Sequence, residues 1–182
     1  IIPLDKKYDI VVTHGGFVGI NHYQCAKAGV AAIPALKPTS KLVMAANNTD
    51  VDPVGSHLYR TVLHLLTLHG AEKFNKLLLS PDWNFIPEQW QAQMWARVFS
   101  KIPMGNFMYC SPNISQQDGM ILPGKDGNNL LPQKYRYSGN LESIGAMVEL
   151  AVGKYIYEYN QQGIRPSIAF IEDGPYGVLI PE

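Results

Sequence analysis

Lys27 and Gln24 are the two side chains whose types and spacing best suit chemistry. They stand three residues apart in a segment predicted as a helix, so they share a face near its start. A lysine there can supply positive charge to a carboxylate or phosphate group, and a neighbouring amide can orient that group by hydrogen bonding. Lys27 and Gln24 are therefore candidate catalytic-site residues. The alternative interpretation is an exposed polar helix face.

A glycine-rich turn, Gly15-Gly16, precedes this helix and follows a predicted buried strand. In open α/β sheets, ligands bind beyond the carboxyl ends of the strands, and glycines let backbone N–H groups approach an anion. Gly15 and Gly16 are therefore candidate cofactor-binding residues, although a tight turn without a ligand explains them equally well. The dinucleotide fingerprint is incomplete because His14 occupies the position of its first glycine, and a Walker phosphate loop is absent.

The five histidines and two cysteines do not form a metal-binding pattern. His14 and His22 flank the glycine turn and could meet there, but no H-E-x-x-H spacing occurs, so no metal site is predicted. Cys25 follows the turn on the helix, where its pKa could be lowered, but a buried inert cysteine is the better interpretation. Cys25 and Cys110 allow one disulfide at most, and a reducing cytoplasm is the expected location.

Hydrophobic periodicity predicts an alternation of strands and helices. The residues at 8–13 are apolar on both faces, which is typical of an interior strand of a parallel sheet, and we expect this strand to be central. The alternation predicts one α/β domain over residues 1–182, with a mostly parallel sheet flanked by helices in Rossmann-like layers. Further strands are predicted at 41–46, 106–111 and 167–171, with short ones near 134–137 and 177–180. Helices are predicted at 20–36, 56–69, 71–79, 87–101 and 141–162, the fourth burying Trp90, Met94, Val98 and Ile102.

Composition excludes several classes of protein. Fifteen Lys and Arg residues balance fifteen Asp and Glu residues, so a general nucleic-acid surface is not expected. No apolar run approaches the roughly 20 residues of a membrane helix, so no membrane partner is expected. The chain begins Ile-Ile-Pro without Met, which suggests a piece of a longer protein.

Several segments together carry a family resemblance. Five segments follow one another along the chain: DIVVTHGGF, NHYQCAKAG, KLVMAA, EQWQAQMWARV and the ending EDGPYGVLIP. In this order they resemble the carboxyl-terminal domain of the nickel-dependent lactate racemase family. The family's Tyr-Gln-x-x-Lys motif matches Tyr23, Gln24 and Lys27. A shorter turn, and a different segment NNTDVDPVGSHLY after the second strand, indicate a divergent subfamily.

The resemblance implies a two-domain isomerase, a racemase or epimerase of a small, lactate-like 2-hydroxy acid. A missing amino-terminal domain would carry a nickel pincer nucleotide, which accepts the substrate's carbon-bound hydrogen as hydride and returns it. Lys27 would neutralise the substrate carboxylate and Gln24 would orient the substrate. The domain is expected to close over the active site, to hold no cofactor alone and to be inactive alone. The alternative is a non-catalytic α/β module that binds a nucleotide or another anion.

Overall fold

Parallel strands form the centre of the structure, a computed structural model that describes residues 1–181. The strands are β1 (Ile2–Leu4), β2 (Tyr8–His14), β3 (Leu36–Ala45), β4 (Phe107–Cys110), β5 (Lys125–Asp126), β6 (Ile168–Phe170) and β7 (Leu179–Pro181). Five of them form one sheet in the order β5-β4-β3-β2-β6, with every neighbouring pair parallel. The strand predicted from its two apolar faces, β2, is indeed interior, although the middle strand is β3.

Helices cover both faces of this sheet. They are α1 (His22–Ala32), α2 (His57–Leu78), α3 (Gln89–Lys101), α4 (Gln116–Gly119) and α5 (Ser143–Asn160). One face of the sheet packs against α1, α2 and α3, and the other packs against α5. Residues alternate between these two cores along β2, because Val11 faces the first while Ile10 and Val12 face the second. The predicted α/β architecture is confirmed.

Local backbone chemistry explains the boundaries of α1 and β3. Pro34 lies in a 3₁₀ turn that ends α1 early, because a proline cannot continue a helix interior. The chain then enters β3 at Leu36, five residues before the predicted start. Pro38 is tolerated there because the register between β2 and β3 shifts after Tyr8, which forms an irregularity in the ladder. Gly70 takes a φ of 73° and kinks α2 at the predicted helix break.

The predicted buried stripe of α3 is confirmed in part: Val98 and Ile102 are buried and Met94 packs against the core, but Trp90 is not buried. Trp90 is 46% exposed, whereas Trp95 and Phe99 are buried. The buried face also contains the small residues Ala92 and Ala96, which let α3 approach α1 and α2 closely. A spacing of four residues alone did not distinguish this face from its neighbour.

Two predicted strands also differ from the structure. The residues at 133–135 form a single 3₁₀ turn rather than a strand, and the fifth strand is β5, which follows Gly124 with its φ of 99°. The carboxyl-terminal strand β7 exists, but it pairs with β1 in a separate two-stranded sheet. Three-residue strands carry too little alternation to be recognised from sequence.

Candidate functional site

The glycine turn after β2 has a steric reason for each of its two glycines. A Cβ on Gly15 would lie 2.8 Å from the Cα of Gly19 and 3.0 Å from the sulfur of Cys25. Gly16 has a φ of 58°, and a Cβ there would lie 2.8 Å from the ring and hydroxyl of Tyr176. The turn therefore needs both glycines for its own packing. Their predicted role in cofactor binding stays a prediction.

Four backbone N–H groups of this turn are bonded within the protein, namely those of Gly15, Gly16, Val18 and Gly19. The N–H of Gly16 donates to Nδ1 of His14 (3.1 Å), and the N–H of Val18 donates to the hydroxyl of Tyr176 (3.3 Å). The N–H groups of Gly15 and Gly19 donate to the carbonyls of Ala45 (2.9 Å) and Gly16 (3.3 Å). An anion at this turn would have to displace these partners.

Three N–H groups at the amino terminus of α1 are likewise bonded within the protein. Asn21 caps the helix, since its side-chain oxygen accepts the N–H of Gln24 at 2.9 Å while its amide donates to Asp50 at 2.7 Å. The N–H groups of His22 and Tyr23 donate to the carbonyls of Pro53 (2.8 Å) and Val54 (3.0 Å), and that of Cys25 donates to the carbonyl of Asn21 (3.3 Å). The N–H groups of His22, Tyr23 and Gln24, which a helix start leaves without partners inside the helix, are therefore used by the protein itself.

The structure brings Lys27 and Gln24 together on the exposed face of α1. The ammonium group of Lys27 donates to Oε1 of Gln24 at 2.7 Å. Lys27 is exposed, and within residues 1–181 no carboxylate lies within 4.0 Å of its nitrogen. Neither residue lines the crevice of about 170 Å³ at the carboxyl ends of β2 and β3, which is formed by His14, Gly16, Ala45, Ala46, Asn47 and Ile144.

An exposed aromatic group adjoins this lysine–glutamine pair. Tyr23 precedes Gln24 in sequence and lies four residues before Lys27, hence on the same side of α1. The indole N–H of Trp90 donates to the hydroxyl of Tyr23 at 3.1 Å, and Phe85 stacks on Trp90 with 6.0 Å between ring centroids. The sequence pattern predicted that Trp90 lies on the buried face of α3. Trp95 is in the core, whereas Trp90 belongs to this surface.

A buried hydrogen-bonded triad lies beneath the start of α1. The hydroxyl of Tyr59 accepts the indole N–H of Trp95 (3.0 Å) and forms a hydrogen bond with Nδ1 of His22 (2.8 Å). The imidazole of His22 also stacks on Trp95, with 4.7 Å between centroids. Burial lowers the pKa of His22 to about 3, so this imidazole is neutral at ordinary pH. His22 thus serves packing, and it does not join His14, whose Nε2 bonds instead to the carbonyl of Glu172 at 2.7 Å.

Neither cysteine has the surroundings of a nucleophile. Cys25 and Cys110 are both buried and unpaired with each other. Burial raises the pKa of the Cys25 thiol to about 11, with the hydrogen-bonding groups of Tyr109 and Asn48 acting in the opposite direction. Burial also raises the pKa of Cys110. An activated thiol requires the reverse shift.

Two further properties concern the described part of the chain as a whole. Within residues 1–181, no three or more His, Cys, Asp or Glu side chains are grouped so that they could hold a metal ion. No helix in the same range has the length and apolar character needed to cross a membrane.

Comparison with known proteins agrees with this architecture. The family model of the lactate racemase C-terminal domain matches residues 4–116, more than half of the chain. The structure resembles that of the lactate racemase apoprotein from Thermoanaerobacterium thermosaccharolyticum, with a TM-score of 0.63 at 19% sequence identity. The similarity covers 97% of this chain but only 36% of that one. Among curated proteins, no sequence matches. The sequence match over residues 4–116, together with the shared fold, shows that this chain belongs to the family of lactate racemase C-terminal domains.

Proposed function

We propose that this chain is the part of a larger racemase or epimerase that closes over the active site and binds a small 2-hydroxy acid. In this proposal Lys27 neutralises the substrate carboxylate and Gln24 fixes its orientation. Membership of the family supports the general class of reaction. The lysine–glutamine pair supports the assignment of these two roles within this chain.

The observation that carries the proposal is the unpaired charge of Lys27. Its ammonium is exposed, is held at 2.7 Å by Gln24, and has no carboxylate partner among residues 1–181. Because Oε1 of Gln24 accepts from Lys27, the amide nitrogen of Gln24 is left as a donor. An ammonium beside an amide donor is a suitable pair for a carboxylate and an adjacent oxygen, such as the 2-hydroxyl.

The hydrogen bonds of the backbone favour this proposal over a nucleotide-binding module. Such a module would use free N–H groups at the glycine turn and at the start of α1 to hold phosphates. In this structure the N–H groups of Gly16 and Val18 are bonded to side chains, and the start of α1 is capped by Asn21 and by the carbonyls of Pro53 and Val54. The charge available to an anion on this side of the molecule is therefore that of a side chain, Lys27.

The described residues alone do not provide the side chains needed to bind the nickel nucleotide that the family implies. They contain no group of three or more metal-binding side chains, so we derive no step through the metal. In our proposal the cofactor is held by the part of the longer protein that corresponds to the uncovered portion of the Thermoanaerobacterium racemase. That cofactor, when bound, would supply the acceptor for the hydrogen on the substrate's C2.

A role for Gly15 and Gly16 in cofactor binding is compatible with this arrangement under one condition. Gly16 lies against the ring of Tyr176, whose hydroxyl accepts the N–H of Val18. A cofactor approaching the turn would have to move Tyr176. We therefore propose that these two glycines form the wall of the site and that their N–H groups are not its ligands.

The proposal is tested with the longer protein that joins this domain to its cofactor-bearing partner. Single enantiomers of lactate and of larger 2-hydroxy acids, deuterated at C2, are incubated in ordinary water and analysed by chiral chromatography and mass spectrometry. We expect at least one acid to be racemised with the deuterium retained at C2. Loss of the label to solvent, or no conversion of any 2-hydroxy acid, would contradict the proposal.

A further inference from the structure

The strand β6 forms an open edge of the five-stranded sheet. It pairs with β2 on one side, and within residues 1–181 no strand pairs with its other side. The carbonyl of Ser167 and the N–H of Ile171 both bond to β2, at 3.0 Å and 2.9 Å. Because the backbone groups of successive strand residues alternate between the two sides of the strand, those of Ile168 and Phe170 point away from β2. These groups are available to a further strand.

The side chains at this edge are apolar and exposed. Ile168 is 43% exposed and Phe170 is 59% exposed. Two crevices flank the strand: one of about 550 Å³ lies against α5 at Ile168, and one of about 300 Å³ lies against β1 at Ala169 and Phe170. Unpaired backbone groups beside exposed apolar side chains attract another strand. The edge therefore offers both main-chain hydrogen bonds and space for the side chains of a strand that pairs with it.

Opposite charges lie at the two ends of the same strand. Arg165 lines the first crevice, before β6, and the exposed Glu172 and Asp173 line the second, after β6. Within residues 1–181, none of these three side chains lies within 4.0 Å of an opposite charge. An antiparallel pair of two β6 strands places the start of each beside the end of the other, so Arg165 meets the carboxylates at both ends. The charges of β6 are therefore complementary to those of a second β6.

We propose that β6 pairs with β6 of a second copy of this chain, antiparallel about a twofold axis at Ala169. In this register Ile168 of each copy lies opposite Phe170 of the other, and the two residues exchange main-chain hydrogen bonds. The contact uses the same surface on both copies and therefore closes at two. It involves β6 and not α1, which carries Lys27, so it does not depend on the proposed function.

Sedimentation equilibrium tests this pairing, on this chain and on the longer protein that joins it to its cofactor-bearing partner. One short strand buries a small area, so we expect dimers at about 100 µM chain rather than at nanomolar concentrations. A monomer at about 1 mM overturns the proposal, and so do assemblies that keep growing with concentration. If the chain pairs alone but the longer protein is monomeric, another segment of that protein covers the edge and the proposal is also overturned.

Charge reversal locates the contact. Arg165→Glu and the double variant Glu172→Lys, Asp173→Lys each place like charges opposite one another and should weaken self-association about tenfold or more. In an equal mixture of the two variants, unlike charges face each other at both ends, so association should return to near the wild-type level. The control Arg97→Glu reverses an exposed charge on α3 and should change nothing. If the mixture stays monomeric, or if Arg97→Glu acts like Arg165→Glu, the proposal is wrong.

A cysteine at position 169 tests the register. The proposed axis places residue 169 of one copy opposite residue 169 of the other, with Cα atoms about 4.5 Å apart, which a disulfide can span. Cys25 and Cys110 are buried and do not compete. Mild oxidation should therefore join two chains of Ala169→Cys covalently, and the control Gln93→Cys, exposed on α3, should stay largely unlinked. Equal cross-linking of the two variants would contradict the proposed pairing.

Discussion

Replacing Tyr59 with Phe tests the buried triad beneath the start of α1. The substitution keeps the ring and removes one oxygen, which in the structure accepts the N–H of Trp95 and is hydrogen-bonded to Nδ1 of His22. Tyr59 is fully buried, so no water replaces the lost partner. The triad supports Tyr23 as well, because the rings of Tyr23 and Tyr59 meet edge to face at 5.2 Å.

The expected loss of stability in Tyr59→Phe follows from the two polar groups that the substitution leaves without a hydrogen-bond partner. A buried donor or acceptor without a partner costs about 1–3 kcal/mol, and the Trp95 N–H and the His22 Nδ1 would both be in that state. Phenylalanine also removes a hydroxyl that need no longer be desolvated, which offsets part of the loss. We therefore expect the free energy of unfolding to fall by about 2–4 kcal/mol.

Urea unfolding followed by far-ultraviolet circular dichroism measures this quantity. The matched control is Tyr157→Phe, since Tyr157 is 64% exposed on α5 and its variant should stay within about 0.5 kcal/mol of the wild type. An unchanged slope of the free energy of unfolding against urea concentration would show that both variants expose the same amount of surface when they unfold. If Tyr59→Phe costs no more than Tyr157→Phe, the described triad does not contribute to stability and the reasoning fails.

Three further predictions concern the same end of the molecule. Since His22 has a pKa of about 3 when folded and about 6.5 when unfolded, stability should fall as pH drops from 6.5 towards 3, by up to about 1.4 kcal/mol per pH unit. Urea unfolding at several pH values should show that the stability of His22→Gln lacks this part of the pH dependence. An equal pH dependence in the variant and the wild type would contradict the prediction. Asn21→Ala should lose about 1 kcal/mol and Asn21→Ser much less, by thermal unfolding, because only the second keeps a capping oxygen; equal losses would exclude capping. Gly16→Ala should lose about 2 kcal/mol in the same assay, because it combines a positive φ with the clash against Tyr176. The control Gly145→Ala, in open space on a helix, should be neutral or stabilising; equal behaviour of the two glycines would refute the steric argument.

Much of the fold could be predicted because it depends on local chemistry. The apolar run on both faces of β2 predicted an interior parallel strand, and Gly70 predicted a helix break. Proline at position 34 explains why α1 ends at Ala32, before the predicted end at 36. In each case the signal lies within a few residues of the feature that it determines.

The features that were missed depend on contacts distant in sequence. The pairing of β1 with β7 joins the first residues to the last, and neither segment has a pattern of its own. The buried face of α3 depends on which small residues meet α1 and α2. The pairing of Lys27 with Gln24 followed from helix geometry, whereas the contact between Tyr23 and Trp90 spans 67 residues and leaves no local signal.

The central claim is that Lys27 binds the carboxylate of the substrate. It is tested most directly by kcat/KM for a 2-hydroxy acid and for its neutral amide, in the complete enzyme and in its Lys27→Ala variant. We predict that the variant loses about 10- to 1000-fold in kcat/KM for the acid, on the order of 1.4–4 kcal/mol of transition-state stabilisation, and little for the amide. Lys27→Arg should restore only part of the loss, because a planar guanidinium replaces a compact ammonium. If Lys27→Ala preserves the preference for the acid over the amide, Lys27 does not bind the carboxylate and the claim is wrong.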